Sequence, residues 1–196
     1  MPVKKDLCLY RENIMNTEYQ SKNLIYKILH SDSAGQVLDF YNRNRGAFNP
    51  YEPEKPDIFY TLSYHETLLR LEYEQFLRHQ GVRFFVYEKD TPGKIAGCVS
   101  FNNIIKGCFC QARIGYKTDF ECQRRGIAKE AVTFSTNLMA QEEHIHRIEA
   151  YILSTNTASL RLAASCGFVH EGIAASFARM AGGWTDFERY VLIMPQ

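Results

Sequence analysis

The segment Gln123-Arg124-Arg125-Gly126-Ile127-Ala128 lies between an extended stretch and an amphipathic one. Its residue types suit an anion. Gly126 permits a backbone conformation that side-chain-bearing residues rarely adopt, and the small Ala128 lets a ligand approach the first turn. The opening amides of a helix have no internal partners, and the helix dipole favours negative charge beside them. A diphosphate matches such an end. Two arginines at a helix N-terminus are otherwise disfavoured by the dipole, a conflict that a bound anion resolves. Taken alone, the segment also fits solvated arginines and a simple turn.

Other groups point less sharply to chemistry. Glu142-Glu143-His144-Ile145-His146 holds metal-ligand types, but it falls at a helix end, where histidine complements the dipole. No metal is therefore expected. The six cysteines (Cys8, Cys98, Cys108, Cys110, Cys122, Cys166) form no CxxC pair. Cys108 and Cys110 are expected on one strand face, where a disulfide between them is awkward. Cys166, just before a helix-ending glycine, reads as a buried thiol. With no signal-peptide core after Met1, the expectation is free thiols in a reducing cytoplasm.

Composition bounds the remaining possibilities. A chain of 196 residues favours one domain, and 45% hydrophobic with 23% charged residues can bury a core. Lys+Arg 23 against Asp+Glu 22 offers no broad cationic surface, so direct nucleic-acid binding is not expected. No apolar run nears the ~18 residues of a membrane span, so no membrane partner is expected either. Nothing in the sequence fixes an oligomeric state.

The elements that must hold the anion segment follow from periodicity and punctuation. Residues 1–22 are polar and read as an N-terminal extension, leaving 23–196 as a single domain. Asn23–Leu29 suits a strand, and Asp32 or Ser33 can cap a helix to about Asn44. Gly46 to Pro56 holds three of the six prolines and reads as a loop. A helical period runs from Thr61 to Gln80. Three strands follow, at Arg83–Glu88, Ile95–Asn103 and Cys110–Thr118, the first ending in the turn Asp90-Thr91-Pro92-Gly93. A helix from Ile127 to about Glu143, a buried strand at Arg147–Leu153, a short helix capped by Asn156 and ended by Gly167, and strands at Phe168–Ile173 and Glu188–Ile193 complete the order. Three consecutive strands do not suit a doubly wound parallel sheet. The fold class is α+β: a mixed, mostly antiparallel sheet of about six to seven strands flanked by about four helices.

In this order the motifs resemble the GNAT superfamily of acyl-CoA-dependent N-acetyltransferases, and within it the branch that acetylates the N-termini of ribosomal proteins. The resemblance rests on Ile114-Gly115-Tyr116, Gln123–Ala128, Arg147-Ile148-Glu149-Ala150, Asn156-Thr157-Ala158-Ser159 and Gly167-Phe168-Val169-His170-Glu171-Gly172, with Trp184-Thr185-Asp186 and the strand after it. It spans about Asn23 to Ile193. It implies that the backbone of Ile114, Gly115 and Tyr116 pairs with the pantetheine arm like an added strand. It implies further that amides of Arg124, Arg125, Gly126, Ile127 and Ala128 hold the pyrophosphate, with Gln123 positioning the loop. Asn156 would contact pantetheine and Ser159 would lie near the thiol, though capping alone also explains both. The co-substrate implied is acetyl-CoA.

The resemblance fails at the base. Related enzymes often carry a carboxylate where this chain has Tyr151, the resembled branch another where it has Ala178, and some relatives a tyrosine acid where it has Ala163. An α-amine with a pKa near ~8 is roughly one-tenth neutral at pH 7, a handicap of about 1.4 kcal/mol, against roughly 4.6 kcal/mol for a lysine side chain. The substitutions therefore lean towards an α-amine or another low-pKa amine. Glu149 and Tyr151, two apart on one strand face, are candidates to line the amine entry, with Ser159 or Ser176 donating to the thiolate. Glu149 reads equally as a structural carboxylate, and His170 beside Glu171 as structural. Phe48, Tyr51 and Trp184 are candidates for the acceptor pocket or for plain aromatic packing. The expected function is acetyl transfer from acetyl-CoA to a protein N-terminus, with a ribosomal protein as one candidate partner. Alternatives are a small amine (antibiotic or polyamine) as acceptor, or a CoA-binding regulatory module without turnover.

Overall fold

The computed structural model describes residues 15–195; Cys8 and the first part of the expected extension lie outside them. One mixed sheet of eight strands runs in the order β1-β2-β3-β4-β5-β6-β8-β7. The strands are β1 (Glu18–Gln20), β2 (Leu24–Lys27), β3 (Val82–Glu88), β4 (Thr91–Ile105), β5 (Gln111–Thr118), β6 (Arg147–Ile152), β7 (Val169–Met180) and β8 (Gly183–Ile193). Among the described strands only β5 and β6 run parallel. Among the described residues five α-helices accompany them: α1 (Ala34–Arg43), α2 (Arg45–Phe48), α3 (Leu62–Leu77), α4 (Ile127–Glu142) and α5 (Thr157–Ser165). Class and order are as expected, with one strand and one helix more.

The extra strand falls in the stretch read as an extension. Glu18–Gln20 pairs antiparallel with Ile25–Lys27, and Met15 is buried in the core. Polar sequence hid it because an edge strand buries little of its length. The extra helix, α2, occupies the start of the expected 46–56 loop, and a 3-10 turn at Asn49–Tyr51 continues it with a proline in its first turn. Cys108 and Cys110 lie in the β4–β5 turn, not on a strand. Cys110 has a left-handed φ of 43°, its thiol donates to the Gly107 carbonyl, and both cysteines are free. The last two strands are longer than 168–173 and 188–193. Register slips between His170 and Gly172, and between Ala174 and Ala178, destroy the alternation that would reveal them.

Both sheet faces are covered, which explains the near-continuous apolar run of β3. Phe84 and Val86 join a core with Ile114, Ala131, Met139, Ile148, Ala150 and Ala163, drawing on α4 and α5. Phe85 and Tyr87 face the other way, into a core with Val37, Phe40, Phe48, Phe59 and Leu69 from the helical segments between β2 and β3. Buried Asp119 ties the two layers. It accepts from Arg43 Nε at 2.6 Å, Asn44 Nδ2 at 3.2 Å and the Glu121 amide at 3.0 Å, while Asn44 Oδ1 accepts from the Phe120 amide.

Candidate active site

The site arises from where β5 and β6 part company. Their parallel register ends at Ile114 opposite Ala150. Beyond it, β5 continues to Thr118 against β4, and β6 continues to Ile152 against β8. Alternate backbone groups of residues 115–118 therefore face a gap where a neighbouring strand would otherwise lie. The chain leaves β5 through a 3-10 turn and re-enters α4, whose N-terminus points at the same gap. Gly126 holds φ 80° and ψ −6° at the N-cap, as the helix entry requires. Gln123 to Gly126 are exposed, and the first-turn residues Ile127, Ala128 and Lys129, whose amides have no partner inside the helix, line the gap.

A cavity of about 620 Å³ fills this gap, within the range of small-molecule sites. Its wall includes Ile114, Gly115, Tyr116, Gln123, Arg124, Gly126, Ile127 and Ala128. Asn156 and Ser159 close the far side, where Asn156 Oδ1 accepts from the Ser159 amide at 3.1 Å and caps α5. An open strand edge followed by an exposed helix N-terminus fits an extended arm ending in a diphosphate. Ten of the eleven residues expected at the CoA site thus line one cavity. Arg125 is the exception: its guanidinium turns away to grip the Glu88 carboxylate, at 3.0 and 2.5 Å.

The acceptor side is less as expected. Tyr151 lines the cavity, and its ring stacks on Phe177 at 4.0 Å and 6° between planes. The Arg113 guanidinium covers both rings, at 4.8 and 4.9 Å from their centroids. Glu149 sits beside Tyr151 but not on the cavity wall. One of its oxygens accepts from Arg147 Nε at 2.8 Å and the other from the Tyr151 hydroxyl at 2.9 Å. Burial first, then the Glu149 charge, raises the Tyr151 phenol above its ordinary pKa, which makes it a poor anion and keeps its proton on. Ser176 lies outside the cavity, in the β7 irregularity, with φ 48° and its amide donating to Asp186 Oδ1 at 2.7 Å. Phe48 and Tyr51 do line the cavity. Trp184 does not: it stands 69% exposed near the β7–β8 turn.

Sequence reasoning missed Glu52, Lys117 and Phe187, which also line the cavity. Glu52 is the only carboxylate on its wall among the described residues. Lys117 and Lys55 both pair with it. Burial alone would raise the Glu52 pKa, but the two ammonium groups outweigh it and hold the carboxyl below its ordinary value. A charged residue at position 117, inside a strand with half-buried neighbours, was the available signal. Glu143, from the Glu142–His146 group, pairs with His79 and Lys106. Among the described residues no three His, Cys, Asp or Glu side chains group as a metal site requires.

Comparison with known proteins agrees with this geometry. The model of the acetyltransferase (GNAT) domain family matches residues 23–169. The Escherichia coli (strain K12) ribosomal protein uS5 alanine N-acetyltransferase is 28% identical over 186 residues, covering 95% of each chain. The solved ribosomal-protein-S5-alanine acetyltransferase of Vibrio fischeri superposes with a TM-score of 0.84 at 28% identity, covering 91% of this chain and 97% of that one. The Mycobacterium smegmatis RimJ, solved with CoA-disulfide, shares the fold with a TM-score of 0.81 at 20% identity, over 88% of this chain and 84% of its own. A family match over most of the length, on a cavity built from a parted sheet and an open helix end, leads to one conclusion: the chain belongs to the acetyltransferase (GNAT) family.

Proposed function

We propose that this acetyltransferase acts on the N-terminal α-amine of a protein, with ribosomal proteins as the candidate class, by direct attack within a ternary complex. The backbone of Ile114, Gly115 and Tyr116 holds the pantetheine arm, and the first-turn amides after Gln123 hold the diphosphate. Asn156 contacts the arm while capping α5. An amide of the β5 edge polarises the thioester carbonyl, and the amine attacks from the side of Phe48, Tyr51 and Tyr151. The uS5 alanine acetyltransferase activity named for the E. coli relative supports the choice of protein acceptor.

The observation that carries this reading is the poverty of bases in the cavity. Among the described residues Glu52 is the only carboxylate on the wall, and two lysines hold it low. Tyr151 keeps its proton, and Glu149 is spent on Arg147 and Tyr151. Such a site serves an amine that is already partly neutral at pH 7, as an α-amine is. The test is thiol release from acetyl-CoA with peptides beginning in Ala, Ser or Met, with an N-blocked lysine peptide, and with small amines. Release with the free N-terminal peptides is expected. Release only with small amines, or tight CoA binding without release for any acceptor, would overturn the reading.

A further inference from the structure

Direct transfer ends with a thiolate leaving, and Ala163 stands where the family resemblance implies a tyrosine acid in some relatives. Ala163 is fully buried and lies one turn beyond Ser159 on the same face of α5. A phenol reaches this face of the helix from the neighbouring strand instead. Tyr116 of β5 lines the cavity, packs against the apolar cluster that contains Ala163, and places its hydroxyl at Ser159. Ser159 Oγ donates to Tyr116 Oη at 3.0 Å, and Tyr116 Oη donates to the Ser159 carbonyl at 3.2 Å.

We infer that Tyr116 is the hydrogen-bond donor to the departing sulfur, with Ser159 as the positioning residue that supports it. This rests on the acetyl-transfer reading above and assigns a residue within it. The direction of the bonds decides between the two hydroxyls. Both protons are engaged, that of Ser159 on Tyr116 Oη and that of Tyr116 on the Ser159 carbonyl, and only the phenol can turn its proton to the sulfur without breaking the bond between the two hydroxyls. Its present acceptor is a helix carbonyl at the long end of hydrogen bonding, and a developing thiolate is a stronger acceptor. The bond from Ser159 polarises the phenol and strengthens its donation. Burial pushes Tyr116 up to about 12, partly opposed by the Ser159 bond, so the phenol keeps its proton through the neutral range. In the step itself the amine nitrogen bonds to the acetyl carbon and the carbon–sulfur bond breaks with its electron pair on sulfur. Tyr116 holds that sulfur by hydrogen bond, and the proton lost by nitrogen passes to water.

The test compares Tyr116→Phe, Ser159→Ala and the double variant in thiol release with an N-terminal peptide. Tyr116→Phe should lower kcat about 10- to 100-fold, the value of one hydrogen bond to a charged group, with KM for acetyl-CoA within about twofold. Ser159→Ala should cost only about threefold, and the double variant should be no slower than Tyr116→Phe. Should the phenylalanine fail to fold, 3-fluorotyrosine at position 116 keeps the shape and gives a stronger donor. That protein should match or exceed the unmodified one at pH 7. A Tyr116→Phe enzyme within twofold of wild type, a Ser159→Ala loss as large as the tyrosine loss, or a tenfold fall with fluorotyrosine would each overturn the inference. Absence of thiol release from the wild-type protein with any amine would instead overturn the acetyl-transfer reading.

Discussion

Gly126 separates the backbone requirement of the proposed anion site from its charge requirement. At φ 80° and ψ −6° it occupies the left-handed region, which costs a side-chain-bearing residue roughly 1–2 kcal/mol. A Cβ added there meets no atom within 4 Å. Gly126→Ala should therefore lose only that backbone term, a fall in melting temperature of about 2–4 °C per kcal/mol for a chain of this size. Its dissociation constant for CoA should stay within about threefold, since folded protein keeps the same loop. Gly126→Glu carries a similar backbone cost and adds a carboxylate at the mouth of the site. Two phosphate charges about 5 Å away repel it by roughly 1.7 kcal/mol even at the dielectric constant of water, and by more in the partly enclosed cavity. That weakens CoA at least about 15-fold. Calorimetric titration of both variants, with melting curves as the control for folding, reads the difference. Equal CoA affinity for the alanine and glutamate variants would refute the placement of the diphosphate at this helix end.

Three further outcomes follow from the geometry. Arg124 lines the cavity whereas Arg125 is bound to Glu88, so Arg124→Ala should weaken CoA up to about fivefold at low salt and less at high salt. Arg125→Ala should leave affinity within about twofold, as titration of the two variants would show. Asp119 is fully buried, and although burial raises its pKa, the bonds from Arg43, Asn44 and the Glu121 amide lower it further. Its contribution is thus complete above the unfolded value near ~3.9 and lost as pH falls through the lower folded value. Asp119→Asn should cost about 3 kcal/mol at pH 7, and denaturant titrations should show that gap closing below about pH 4. Finally, kcat/KM for an N-terminal peptide should rise about tenfold per pH unit up to about pH 8 and then level off, following the neutral α-amine. Glu149→Gln should leave that profile in place, because both Glu149 oxygens are already engaged.

The donor half of the proposed site is legible because its chemistry is local. A glycine at a helix entry, a small residue in the first turn and an Asn cap are written in neighbouring positions, and ten of those eleven residues converge on the cavity. Arg125 escaped because its partner, Glu88, is 37 residues away. The acceptor half depends on long-range placement. Glu52 and Lys117 meet only once α2 and its following turn pack over β5, and Asp119 looks like an ordinary surface residue until Arg43 and Asn44 reach it. Ser176 and Trp184 fall outside the cavity for a related reason. The slip between Ala174 and Ala178 re-aims the β7–β8 hairpin, and alternation along the chain no longer says which side chains face inward.

The most direct measurement is a calorimetric titration of the wild-type protein with coenzyme A. A parted sheet beside an open helix end predicts saturable binding at one site per chain, weakened in Gly126→Glu. A flat titration, with no heat at any concentration up to millimolar, would contradict the account at its base.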